Sequence, residues 1–440
     1  MSSPAVAPEK ALPRELPTTL FYGALGLVGI GVVAFIAGLA SNPQHAWLAF
    51  HANVVYFTML ACGGLALSAI YTTVGAKWCG PYRRIAESIG AFLPVAFVLW
   101  LIDFAGGRDY LFEWTHAPAA GKEVWLNSTR VFLVDAALLG SLSLLSIVYI
   151  KRSVRPTLKN LAETGEGFAK SQAEKWTAGW KGGDEERAAV NGNTAGLAVI
   201  ILLVFGIGMS FWNFDMVMSM DQLWFSNLFG AYVNWGGILS AVAACTLIGI
   251  LSRGAPVLGN EITDARRHDI GKMMFAFSIF WMYLFFSQFL VIYYGNLPEE
   301  TNFVRDRLGD QFLIEKGFSE YAFAQQWASW DFSWDRLSTG YGWIAMTVWT
   351  LNWIIPFWVL LGQAPKKSPV IAGTVASGLL VGFWLERNLL TWPSVVKGDM
   401  TAFLQPIQIG IALGFVGAFV AVHLLYTRVF PTIAVSDKGE

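Results

Sequence analysis

Residues 20–40 read LFYGALGLVGIGVVAFIAGLA, an uninterrupted apolar run without a single charge. A helix rises about 1.5 Å per residue, so a run of this length crosses the ~30 Å hydrocarbon core of a bilayer. Nine further predominantly apolar runs follow, at roughly 48–75, 86–105, 126–150, 193–218, 223–251, 269–296, 341–362, 369–390 and 402–428. They define an all-α membrane protein of about ten transmembrane helices. Composition agrees: of 440 residues, 55% are hydrophobic and only 14% charged, too little charge to cover a soluble protein of this size. The first 19 residues are polar. Because the run after them is long enough to span, it reads as a retained anchor rather than a cleaved signal.

Orientation follows from Lys and Arg, which stay on the cytoplasmic side of short loops. The N-terminus, the even-numbered loops and the C-terminus hold 21 of the 30 basic residues, so both termini are expected in the cytoplasm. The chain then divides into an N-terminal segment (1–19), helices one to four (20–150), a charged cytoplasmic loop (151–192), helices five to seven (193–296), an outer loop rich in Trp (297–340), helices eight to ten (341–428) and a tail (429–440). The cytoplasmic loop holds Trp176 and Trp180, and reads as an interfacial helix or a partner surface. In the outer loop, Trp327, Trp330 and Trp334 would share one face of a helix, suited to lie on the headgroups or to dock an extracytoplasmic subunit. A faint echo links Cys62-Gly63-Gly64-Leu65 with Trp235-Gly236-Gly237-Ile238; it reads first as a pair of tight helix crossings.

Ionisable groups inside a bilayer need a reason to be there. On the outer side these are His51, Asp103, His116, Arg130, Asp135, Asp215, Asp221, Glu386 and Arg387; on the inner side, Glu87, His268, Lys272, His423 and Arg428. Asp135 lies about 13 Å below the start of its helix, counted at the helical rise. His51, Asp103, Arg130 and Asp135 could together line a polar pocket of the kind a quinol needs: a proton acceptor, a hydrogen-bond donor and an apolar slot. The alternative is structural, an Asp–Arg pair that fastens helices, or groups wetted at the interface. Asp135, Asp215, Asp221, Tyr283, Gln288 and Glu386 are candidates for an outer half of a proton path. Deeper uncharged groups, among them Asn213, Asn234 and Asn352, either line such a path or hold helices together. No histidine pair sits at mid-membrane depth, and Cys62, Cys79 and Cys245 share no ligand spacing. No haem, iron–sulfur cluster or other metal centre is therefore expected in this chain; a quinone such as menaquinone is the candidate cofactor. No catalytic residue is assigned and no nucleic-acid partner is expected.

Helices five to seven carry a more specific pattern. Phe211-Trp212-Asn213-Phe214-Asp215-Met216-Val217-Met218-Ser219-Met220-Asp221 leads into Trp224-Phe225-Ser226-Asn227-Leu228-Phe229-Gly230-Ala231-Tyr232. Gly271-Lys272-Met273-Met274-Phe275-Ala276-Phe277 follows, and Tyr293-Tyr294-Gly295-Asn296-Leu297-Pro298-Glu299-Glu300-Thr301 closes the seventh helix. This stretch resembles the NrfD-type membrane subunits of alternative complex III, a bacterial quinol oxidoreductase, and within that family the smaller ActF subunit. The chain departs from the family pattern at Met220-Asp221 and at Asn227. The resemblance implies two four-helix bundles, helices two to five and six to nine, flanked by helices one and ten. It implies a place in the bacterial inner membrane beside a sister NrfD-like subunit, an iron–sulfur subunit and haem c subunits, with quinol oxidised mainly in the sister subunit. Two other readings of the residues stand beside it: a stand-alone secondary transporter and a purely structural anchor.

Overall fold

The computed structural model describes residues 17–76, 78–164, 167–180, 184–252, 261–295, 297–308, 341–396 and 402–430. Among them there is no strand. Ten helices are long and apolar enough to cross a membrane: α1 (Thr18–Ser41), α2 (Pro43–Thr73), α3 (Pro81–Leu111), α4 (Ser128–Thr164), α5 (Asn191–Met220), α6 (Phe229–Leu251), α7 (Asp264–Gly295), α8 (Gly342–Val359), α9 (Pro369–Val395) and α10 (Pro406–Val429). The chain is thus an all-α, multi-pass membrane protein.

The ends of these helices have local causes. Asn42 caps α2 by accepting the backbone N–H of His45, with Pro43 at the first helical position. Ser368 and Pro369 do the same for α9. That is why α2 begins several residues before its apolar run. α3 is interrupted between Gly90 and Leu93, where Pro94 has no N–H to give and its ring excludes a carbonyl one turn back. Two helices contain a π-helical turn, α5 at Val204–Gly208 and α8 at Thr350–Ile354.

α2 is the central rod. In its apolar window 94% of residues are buried, against 11% in α1. It touches α1, α3, α5, α6, α9 and α10, while α6 touches α2, α3, α5, α7 and α9. Where α2 and α6 cross, a Cβ added to Gly63 would stand 2.1 Å from the carbonyl oxygen of Gly237, so only glycine permits the approach. The sequence echo at these glycines is thus one shared crossing. The same device joins the first helix to the last: a Cβ on Gly31 would fall 2.4 Å from the Cα of Gly414.

The charged segment after residue 150 is mostly helix. α4 continues to Thr164, and a further helix, Gly167–Trp176, folds back on it. Trp176 packs on Phe430 at 5.1 Å between ring centroids and Arg155 lies over Trp180, so both tryptophans are used within the chain. Trp327, Trp330 and Trp334 lie outside the described residues.

Candidate functional site

The outer end, so named from the distribution of Lys and Arg, is where α2, α4 and α6 begin. There the first half of the chain gathers several of its titratable groups. His51, in the third turn of α2, and Asp103, two turns from the end of α3, are buried and bonded to each other, Nδ1 to Oδ2 at 2.6 Å. The other ring nitrogen, Nε2, is 2.9 Å from the carbonyl oxygen of Met216 in α5. A carbonyl can only accept, so Nε2 carries a hydrogen. Nδ1 and the carboxyl oxygen must then share one proton, since two lone pairs at 2.6 Å would repel. The pair is neutral whether that proton sits on Asp103 or on His51. Phe112 stands edge-on to the imidazole and completes the burial.

Beside this pair, Arg130 of α4 forms an ion pair with Asp215 of α5 and stacks on Trp125 at 3.8 Å. Trp125 Nε1 donates to the second oxygen of Asp215 at 2.9 Å. Asp135 is fully buried and close enough to Asp215 and Arg130 to feel both, yet neither of its oxygens reaches a hydrogen bond of good geometry. The structure therefore brings His51, Asp103, Arg130, Asp135 and Asp215 to one end of α2–α5. His116 stays outside, exposed, near the Asp109 carbonyl.

A quinone head group in this pocket would need a hydrogen-bond donor for its ring oxygen. Both His51 nitrogens are engaged by the protein's own acceptors, and Arg130 Nη1 by Asp215. The unpaired atoms left are carboxyl oxygens, Asp103 Oδ1 and both of Asp135. As arranged, His51 presents no free donor to a quinone head.

The second half of the chain holds a separate buried pair. Glu386 and Arg387 of α9 are 2% and 1% exposed and ion-paired at 3.2 Å. Trp281 of α7 donates to Glu386 at 3.2 Å, Tyr232 of α6 adjoins it, and Arg387 donates to the Val233 carbonyl at 3.2 Å. Gln288 accepts the Ser226 hydroxyl at 3.0 Å nearer the outer end. Tyr283, by contrast, points away from the bundle and is 60% exposed, apart from Gln288 and Glu386. Asp221 lies beyond α5, next to Arg307. Arg307 comes from the outer helix Pro298–Leu308, stacks on Phe303 at 3.3 Å and donates to the Leu390 carbonyl at 2.6 Å. Burial drives its guanidinium down to about 9, against the pull of Asp221 and Asp306.

Glu87 of α3 and His423 of α10 lie at the inner end. Glu87 is the centre of a buried network. It receives Arg84 at 2.7 Å, Ser153 at 2.5 Å, Ser68 at 3.3 Å and Tyr426 at 3.2 Å. Tyr149 extends it to Thr72 at 2.6 Å, and His423 joins Ser88 at 2.9 Å nearby. These partners come from α2, α3, α4 and α10. No spacing along the chain announces them. His268 and Lys272 begin α7 on the same side.

A scan against protein-family models finds no match, and a search of the curated proteins finds none. Among the described residues, no group of three or more His, Cys, Asp or Glu is placed to hold a metal ion.

Proposed function

We propose that the chain is a membrane subunit of a quinol:electron-acceptor oxidoreductase of the alternative complex III type. In this reading it carries no redox centre and supports quinol oxidation in a sister NrfD-like subunit, with an iron–sulfur subunit and haem c subunits as further partners. Its own chemistry is to hold protons at the outer end of α2–α5. The motifs of residues 211–301 support the class of protein. The observation that carries the local role is the buried His51–Asp103 pair, which must keep one proton between two groups and stays neutral in either form. A proton on such a pair shifts by a fraction of an ångström without creating net charge in a low-dielectric interior. Asp135 and Asp215, beside it, offer further carboxyl oxygens for a proton released near the outer surface.

The test is purification of the tagged chain from its native membrane. Haem- and iron–sulfur-containing chains should accompany it, and the assembly should transfer electrons from quinol to cytochrome c. A chain that purifies alone and takes up a solute when reconstituted is a transporter, and ends this reading. The Arg130–Asp215 tie, which joins α4 to α5, favours the plain anchor as the second reading. An anchor predicts that Asp135→Asn and Asp215→Asn leave turnover and proton release unchanged in an intact assembly.

A further inference from the structure

We infer that Asn352, Glu386 and Arg387 form a closed binding site for internal water near the middle of the bilayer, with water bridging the Asn352 amide to the Glu386–Arg387 pair.

Asn352 lies ten residues into α8, about 15 Å from its outer end at the helical rise, and α8 is only 18 residues long. Its side chain is wholly buried, yet neither Nδ2 nor Oδ1 has a hydrogen-bond partner. A mid-membrane amide ordinarily bonds across to a neighbouring helix; this one does not, so it is not acting as glue. It presses on α9 at Gly382, where an added Cβ would stand 2.1 Å from Oδ1. Glu386 is one turn further along the same face of α9. There, Glu386 Oε2 and Arg387 Nε and Nη1 also lack hydrogen bonds, although the two charges face each other at 3.2 Å. Asn352 Nδ2 and Oδ1 and Arg387 Nε thus stand unbonded on adjacent turns of two packed helices, beside an ion pair whose facing atoms make no well-aligned hydrogen bond. Native interiors seldom leave such atoms dry.

The backbone gives an independent indication. Asn352 sits inside the π-helical turn Thr350–Ile354. Such turns loosen the i→i−4 ladder and occur where a side chain or water enters it. Water is the occupant that fits. It donates to Glu386 Oε2 and to Asn352 Oδ1, and accepts from Arg387 and from Asn352 Nδ2, within the two to four partners a buried water uses. Trp281, Phe383 and Leu351 pack around these groups and enclose them in apolar surroundings. The assignment stands apart from the role proposed for α2–α5.

Asn352→Val decides the sign. Valine is the apolar side chain closest to asparagine in volume, reaches one atom less far and has no polar atoms. In a dry site the substitution removes two unpaired buried groups, so stability rises or stays level. In a hydrated site it strips the bridging water of its anchor, and the melting temperature of the purified full chain in nanodiscs falls by about 2–4 °C. The second measurement needs no variant. A density map of the wild-type protein that resolves ordered water should show a peak within hydrogen-bond reach of Asn352 and Arg387. An unchanged or raised melting temperature, an empty map at this position, or density too large for water would each overturn the assignment.

Discussion

Replacing Asp103 by asparagine separates the proton from the bond. An amide nitrogen at the same place can still donate to His51 Nδ1, so the fold should survive and the melting temperature should stay close to that of the wild type. The shared proton is gone, however, and quinol-dependent turnover of the assembled complex should fall by at least about 100-fold, the lower end of what positioned proton transfer contributes. Asp103→Leu instead leaves Nδ1 buried without a partner. It should cost about 1–3 kcal/mol, read as a lower melting temperature. Arg130 makes a different prediction. Its loss in Arg130→Ala leaves Asp215 and Asp135 side by side without their cation. Removing one partner of a buried ion pair costs about 3–5 kcal/mol, and the lower end applies because the Arg130 side chain is 23% exposed. Adding Asp215→Asn to that variant should restore most of the loss; a double variant as unstable as the single one would show that the charge was not the issue. These residues were legible in the sequence because a charge in an apolar run stands out. Their pairing was less so: His51 reaches Asp103 and Met216 across 52 and 165 positions of chain, and only the packing of α2 between α3 and α5 brings them together.

The π-helical turn of α5 shows how an element carries an irregularity through the membrane. Val204–Gly208 loosens the backbone ladder, and within the helix its carbonyls accept Met209 N–H and the Ser210 hydroxyl. Asn234 of α6 donates to the carbonyls of Phe205 and Gly206, at 3.3 and 3.2 Å, and to the Ser210 hydroxyl, while Asn213 donates to its oxygen at 2.9 Å. Asn234→Leu should therefore destabilise the chain by about 1–3 kcal/mol, chiefly through the buried Asn213 amide left without its acceptor, since Gly206 and Phe205 also accept Ser210 and Met209, measurable by thermal melting; a neutral result would mean that Asn213 finds another acceptor. Helix existence was legible throughout, since ten apolar runs predict ten spans. Boundaries were legible only where caps spoke, as at Asn42 and Ser368. The late start of α6 at Phe229 and the run of α4 to Thr164 are not marked by hydropathy. The π turns could not be foreseen, because a turn wound one residue loose leaves the apolar pattern intact. The network around Glu87 was hidden for the same kind of reason, its Tyr426 partner lying 339 residues away.

For the molecule as a whole, the distribution of Lys and Arg predicts which end meets the cytosol, and the structure supplies a clean assay. Cys62, Cys79 and Cys245 are all buried, so the native chain should take up little thiol reagent. Val124, between α3 and α4, is 90% exposed, and Gln363, between α8 and α9, is exposed. In whole cells an impermeant maleimide should label Val124→Cys and spare Gln363→Cys until the membrane is opened. The reverse pattern would invert the topology and move the His51–Asp103 pair to the cytosolic face. The union of α1 with α10 through Gly31 and Gly414 carries a further consequence. Eight spans separate the two along the chain, so α1 finds its mate only once α10 has entered the bilayer. Until then its glycine stripe stands bare to lipid, and a nascent or truncated chain presents that seam to the cell's insertion and proteolytic machinery as a mark of unfinished work.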